Sequence, residues 1–352
     1  MTHTSSPRLN TIHELWYTRC PVPNVSSLAL DLGRLEQTFA TDGIQFRSLR
    51  ASEDPTIRAS HYDHKLPGLF REGGNVPAIW ARSNKQNTQL IALTWVDEYQ
   101  AILTLPDSEI NKPANLRDRR LALPKRGKTH VDFARSMALK GFLSALSLAG
   151  LDETHVEFVD IVSAETDLRE PAVNTSKLGN LFSTEVDALL HKTVDAIYVK
   201  GAVGVDLATL HDLKVVVDLG AHPDPLIRVN NGTPRTITVD AELIEQRPDL
   251  VARYLACLIE TAEWAESHAQ EVVRVVSTET GGGAAGVRKA YGSELHRRLR
   301  PRLSSQFITG LKAHKEFLLR WGFIESDFDI DAWINPTPLV EAEKLTHSKE
   351  VH

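Results

Sequence analysis

Runs of apolar and polar positions divide the chain into an alternating succession of strands and helices. Leu28, Leu32, Leu35 and Phe39 fall on one face of a helix over residues 25–39, for which Asn24 is the predicted cap. After Asp42-Gly43, residues 44–49 alternate as a strand does. The chain therefore opens as strand, turn, helix, turn, strand. Residues 50–75 are polar and irregular, a short helix begins at Val76, and strands are predicted over 89–95 and 99–105. Further strands are expected at 120–124, 156–161, 196–199 and 213–219, interleaved with helices over 132–148 and 184–190. From Asp240 the pattern turns helical, over 241–247, 249–268, 269–276, 293–299 and 304–319.

Breakers fall where this order changes. Pro106-Asp107-Ser108 interrupts the first series of strands, and Pro223, Pro225, Asn230-Asn231-Gly232 and Pro234 mark a return. Two crossings predict one discontinuous lobe from residues 1–105 and 225–352, and a second α/β lobe from 106–224.

Composition adds boundaries to this picture. The 352 residues are 42% hydrophobic and 24% charged, as in an ordinary soluble globule. A formal net charge of -6 argues against a broad nucleic-acid footprint, and no run of apolar residues is long enough to span a bilayer. The first ten residues lack the basic start and apolar core of a signal peptide, which predicts a cytoplasmic protein. Two distant cysteines give no disulfide framework.

Those two cysteines differ in setting. Cys257 lies in a helical apolar pattern and reads as core, whereas Cys20 sits in Thr18-Arg19-Cys20-Pro21-Val22-Pro23-Asn24, stiffened by two prolines and placed just before a helix. Free backbone N–H groups at such a position favour a thiolate, so Cys20 is a candidate reagent, against the plainer reading of a small buried hydrophobe.

His61-Tyr62-Asp63-His64 follows, and either imidazole suits a thiol partner, since its ordinary pKa lies near 6.5. Read as metal ligands, the two histidines lack a third ligand at usual spacing; His64 otherwise reads as a surface-loop residue. Arg71-Glu72-Gly73-Gly74-Asn75 offers a planar fork of donors beside glycines that let backbone N–H groups approach an anion, or else a solvated pair and a flexible turn. Gly281-Gly282-Gly283-Ala284-Ala285-Gly286 lacks a P-loop ending and reads as a linker or a mobile loop near a cleft. The basic runs at 117–126 and 297–302 read as solvated faces, and the tryptophans mostly as core.

Cys20-Pro21-Val22-Pro23-Asn24, His61 and Arg71-Glu72-Gly73-Gly74-Asn75-Val76-Pro77 together resemble the 2'-hydroxybiphenyl-2-sulfinate desulfinase family of dibenzothiophene and benzothiophene desulfurisation. The similarity continues through 216–220, 247–251, 281–286 and 299–303, and departs at Tyr62–His64 and at Val199-Lys200-Gly201-Ala202, where the family carries a tryptophan-rich sequence. The resemblance implies an α/β fold with two lobes of periplasmic-binding-protein type (type II), a cleft between them, and a cytoplasmic monomer without cofactor or metal. It implies Cys20 as the essential thiol, His61 as its partner, Arg71 and the Gly74 N–H as holders of the sulfinate oxygens, and Gly73 as a shaper of that turn. The substrate implied is a small aryl sulfinate, with no nucleic-acid or membrane partner. The alternative is a non-catalytic solute-binding protein for an organic sulfonate or sulfinate, cytoplasmic or cleaved from its leader, with the same lobes and clamp.

Overall fold

In the computed structural model, residues 12–126, 130–162 and 181–350 are described, the side chains of 348–350 excepted. The first ten residues, which lack the pattern of a signal peptide, lie outside them. Strand β1 (Glu14–Arg19) runs into the cysteine segment, followed by α1 (Val25–Asp31), α2 (Arg34–Ala40), β2 (Gln45–Ser48), α3 (Pro55–Asp63) and β3 (Leu69–Gly74). Then come α4 (Asn75–Ser83), β4 (Thr88–Thr94), β5 (Gln100–Thr104), β6 (Arg120–Lys125), α5 (Phe133–Ser147) and β7 (Glu157–Val162). Next are α6 (Ser183–Leu190), β8 (Ile197–Lys200), α7 (Gly201–Leu210), β9 (Lys214–Asp218), α8 (Pro225–Arg228) and β10 (Arg235–Asp240). Seven helices complete the described order: α9 (Ala241–Gln246), α10 (Pro248–Glu266), α11 (Ala269–Thr280), α12 (Ala284–Tyr291), α13 (Ser305–Arg320), α14 (Ile330–Trp333) and α15 (Thr337–Glu350).

The strands form a five-stranded sheet in the order β2-β1-β3-β10-β4, a three-stranded sheet β8-β5-β9 and a parallel pair β6-β7. In the largest sheet β1 pairs in parallel with β2 and β3, whereas β10 arrives antiparallel between β3 and β4. Because β5 pairs with β8 and β9, the change of sheet falls between β4 and β5, ahead of the break at residues 106–108. Phe70 of β3 stacks on Tyr254 of α10 at 3.9 Å between ring centroids, fixing that long helix against one face of the large sheet. Among the described residues, no helix is long and apolar enough to cross a membrane.

Several local expectations change. The helix expected over 25–39 is two helices, because Gly33 takes a left-handed conformation (φ 67°) that ends one and starts the next. The irregular stretch 50–75 holds α3 and β3, and β3 is buried along its whole length. Of the helix expected at 293–299 only a short 3-10 turn, Leu295–Arg297, forms after Gly292 at φ 76°. The glycine-rich stretch is a tight junction: Gly281 ends α11, Gly283 precedes α12, and a Cβ on Gly282 would meet that of Ala202 at 2.4 Å. His64 is buried rather than at the surface, because it ends α3 with a left-handed backbone and turns Nε2 onto the Leu69 carbonyl at 3.1 Å. Cys257 is core, as read.

Candidate active site

The pleat of β3 sorts two adjacent charges to opposite sides. Successive side chains point to opposite faces of a sheet, so Arg71 and Glu72 part company. Glu72 is fully buried beneath α1 and accepts the Ser26 N–H at 2.7 Å and the Val25 N–H at 3.3 Å. Asn24 accepts the Ser27 N–H at 2.7 Å and donates through Nδ2 to the carbonyls of Cys20 and Val22, at 3.1 and 2.9 Å. The predicted cap is present, yet these carboxylate and amide groups already occupy the helix donors that seemed available to a thiolate. Their role is to hold the Cys20 turn rigid.

On the other face, Arg71 lies beside Thr18 of β1 in the strand register. Its Nε donates to the His61 carbonyl at 3.1 Å, and its Nη2 lies 3.6 Å from Cys20 Sγ. Nη1 is buried without a hydrogen-bond partner among the described residues, and no carboxylate there forms an ion pair with this guanidinium. A buried cation without a counter-charge is costly until an anion arrives beside it.

His61, in the last turn of α3, puts Nε2 3.8 Å from Cys20 Sγ and Nδ1 2.6 Å from Thr18 Oγ1. Burial, then the charges of Arg71 and Arg50, push its pKa well below the ordinary 6.5, so the ring is neutral. In the tautomer whose Nδ1–H donates to Thr18, Nε2 faces the thiol as an acceptor. Burial holds the neighbouring Tyr62 phenol protonated.

Gly73 lies directly under the thiol. A Cβ there would meet Cys20 Sγ at 2.3 Å, so only glycine leaves the sulfur its position. Gly74 precedes α4, whose first N–H groups are taken: Asn75 N donates to the Asn231 carbonyl at 2.8 Å and Val76 N to its Oδ1 at 2.9 Å. A Cβ on Gly74 would lie 2.6 Å from that same Oδ1.

Cys20, His61 and Gly74 line a cavity of about 90 Å³ together with the apolar Phe133, Met137 and Leu181. The structure thus brings together all five residues singled out in the sequence: three on the wall, with Arg71 and Gly73 against the sulfur. It does not use His64 as a ligand or bring the 281–286 stretch to the wall. Sequence reasoning missed Thr18, which looks like any strand threonine, and Asn231, which looks like a turn residue. It also missed two cations on the wall, Arg126 and Lys200. Arg126 was read within a solvated basic run, yet it is buried: its Nη2 donates to the Leu181 carbonyl at 3.1 Å and its guanidinium lies over the Phe133 ring. The cavity's aromatic lining is Tyr62 and Phe133; no tryptophan contributes.

No family model matches the chain. The 2'-hydroxybiphenyl-2-sulfinate desulfinases of Rhodococcus erythropolis and Rhodococcus qingshengii are each 26% identical over 348 residues, spanning 92% of this chain and 91% of theirs. Among solved structures, a cysteine-to-serine mutant of the desulfurization enzyme DszB in complex with biphenyl-2-sulfinic acid aligns with a TM-score of 0.77 at 23% identity, over 95% of this chain and 100% of that one. The periplasmic aliphatic sulphonate-binding protein SsuA of Escherichia coli aligns at 0.66 and 14% identity, over 92% of each chain. The fold is therefore the α/β periplasmic-binding-protein type (type II) that the sequence suggested, and the chain is homologous to the aryl-sulfinate desulfinases of the DszB type.

Proposed function

We propose that the protein is a desulfinase that hydrolyses the aryl carbon–sulfur bond of 2'-hydroxybiphenyl-2-sulfinate or a close aryl sulfinate, releasing the hydroxyaryl product and sulfite. The observation that carries this reading is a thiol held between a neutral imidazole and a buried guanidinium without a counter-ion among the described residues, on the wall of a largely apolar cavity. An aryl group suits the apolar wall, and a sulfinate supplies the anion that Arg71 lacks among the described residues. The homology supports the same chemistry. The reading carries with it a monomer acting in the cytoplasm.

The reaction is Ar–SO2⁻ + H2O → Ar–H + HSO3⁻, and sulfur leaves at the oxidation level of sulfite, so no redox cofactor enters the balance. Arg71, with the Gly74 N–H, neutralises and aligns the sulfinate, an effect strengthened where water is excluded. Two routes start from the same geometry. In one, His61 Nε2 takes the thiol proton, Cys20 Sγ bonds to the substrate sulfur, the carbon–sulfur bond breaks as the ring carbon receives that proton, and water then releases sulfite and restores the thiol. In the other, Cys20 S–H protonates the ring carbon, sulfur dioxide departs and is hydrated, and the thiolate regains a proton.

The test is incubation of the purified protein with aryl sulfinates while sulfite and desulfinated product are measured together. Both should appear in equal amounts, and Cys20→Ser should abolish both while substrate still binds. Turnover near the wild-type rate by C20S rejects both routes. A mass shift on Cys20 during turnover supports the first.

A further inference from the structure

A second source of positive charge faces the cavity from the other sheet. Lys200 ends β8, and its side chain is 9% exposed; Cys20 follows β1, and both line the same space. Lys200 Nζ lies 2.6 Å from Glu98 Oε1, and Glu98 is shared with the fully buried Arg235, whose Nη2 is 3.7 Å from Oε2. Two cations thus share one carboxylate within ion-pair distance, and the buried Glu72 acts on Arg235 from farther away. The sharing is loose, since Glu98 Oε2 and Arg235 Nε and Nη2 make no hydrogen bond among the described residues. Gly232 keeps the ammonium accessible: a Cβ there would lie 2.1 Å from Glu98 Oε1 and 2.8 Å from Lys200 Nζ. An ammonium has three donors, and Glu98 is the one acceptor that Nζ meets among the described residues. Arg126 adds a further charge to the wall, and no described residue of the wall is acidic.

A sulfinate accounts for Arg71 alone. We propose that Lys200 is a specificity-determining residue for the desulfinase proposed above: it ion-pairs and hydrogen-bonds a second ionised oxygen group, phenolate or carboxylate, carried by the aryl sulfinate away from its sulfur. The inference rests on that functional reading for the sulfinate end. The oxygen group completes the ammonium's donors, of which Glu98 takes one among the described residues.

The experiment compares biphenyl-2-sulfinate with its 2'-hydroxy and 2'-carboxy derivatives, in wild type, Lys200→Met and Lys200→Arg. Wild type should prefer the 2'-carboxy substrate over the unsubstituted one by about tenfold or more in kcat/KM, the effect of one charge-assisted hydrogen bond. The 2'-hydroxy substrate should gain on the unsubstituted one as pH rises towards the phenol's ionisation. K200M should bring the carboxy ratio close to one, and K200R should keep most of it. The ratio is internal to each variant, so a general loss of activity does not imitate the result. Wild type without the preference, or K200M that retains it, overturns the proposal.

Calorimetry with two unreactive probes, biphenyl-2,2'-dicarboxylate and biphenyl-2-carboxylate, reads the same contact without turnover. A preference for the dicarboxylate that disappears in K200M supports the role of Lys200, even if no sulfinate is consumed; in that event it is the desulfinase reading that fails. Equal binding of the two probes by wild type overturns the proposal, and this arm holds even if K200M does not fold.

Discussion

Adding a single methyl group at Gly73 tests the packing of the Cys20 sulfur directly. The new carbon would fall 2.3 Å from Cys20 Sγ and 2.7 Å from Cys20 Cβ, whereas non-bonded carbon atoms rest about 3.5–4 Å apart. Relief requires a displacement of about 1 Å or more, either of the thiol or of β3. The strand is hydrogen-bonded to a neighbour on each side, so the thiol gives way first. Its distances to His61 and Arg71, 3.8 and 3.6 Å, already mark the edge of useful contact. A misplacement of about 1 Å lowers a rate by roughly a hundredfold, which is the expected fall in kcat/KM for Gly73→Ala. Overpacking should also lower stability by about 1–3 kcal/mol. Gly150→Ala is the control, because Gly150 has φ 64° but no atom within 4 Å of its added carbon. It should lose about 1 kcal/mol of stability and keep its turnover. Sulfite release, alkylation of Cys20 and thermal unfolding would be measured on all three proteins. A folded G73A protein with turnover within about threefold of wild type refutes the placement of the thiol as the source of activity.

Other consequences follow from the same geometry. Arg71→Lys keeps the charge but cannot bond the His61 carbonyl and reach the sulfur together, so KM for an aryl sulfinate should rise about tenfold or more, measured by steady-state kinetics. Asn24→Ala removes the cap of α1 together with the tie to the Cys20 carbonyl; urea unfolding should show a loss of about 1–2 kcal/mol, accompanied by slower turnover. Burial holds His64 and His314 near pKa 3 and pushes His61 well below its usual value. A depressed folded-state pKa means that the unfolded chain takes up protons first, so the contribution is complete above about pH 6.5 and declines as pH falls towards the folded values. His314→Gln should therefore flatten the loss of unfolding free energy between about pH 6.5 and 5 by up to about 1.4 kcal/mol per pH unit relative to wild type. An unchanged slope would show that His314 is already protonated in the folded protein. For the same reason, kcat/KM should show no acid limb from His61 near pH 6.5; a limb there that disappears in His61→Asn would contradict a neutral ring.

Much of the fold is legible where one face of an element is apolar. Strands β2 and β4 through β9 follow apolar runs, and α5, α10 and α13 follow helical spacing. Helix bounds fail at left-handed glycines, Gly33 and Gly292, whereas the missed strands and misread charges share another cause, the burial of polar residues. All six residues of β10 are buried, yet Arg235, Thr236, Thr238 and Asp240 read as a polar return after Pro234. β3 reads as a turn, whether as an anion clamp or as a solvated pair, because Arg71 and Glu72 interrupt any apolar alternation, whereas each has tertiary partners that no local pattern reveals. His64 and Arg126 were mistaken for surface residues for the same reason. The grouping of Cys20, His61 and Arg71 was legible because its members are chemically distinctive and lie within one short span of sequence. Lys200 and Asn231 were not, since their relation to Cys20 exists only after the second sheet has folded against the first.

The reversed strand at residues 235–240 has a consequence for how the chain reaches its working form. It is wedged between two strands laid down more than a hundred residues earlier, and its Arg235 and Thr236 stand opposite Gly74 and Gly73. The sulfur is synthesised near the beginning, but the platform beneath it lacks one border until that late insertion. Such distant pairing is slow to form. A nascent chain released before it would carry Cys20 without this border, so the surroundings of the thiol are completed only once the late strand has paired.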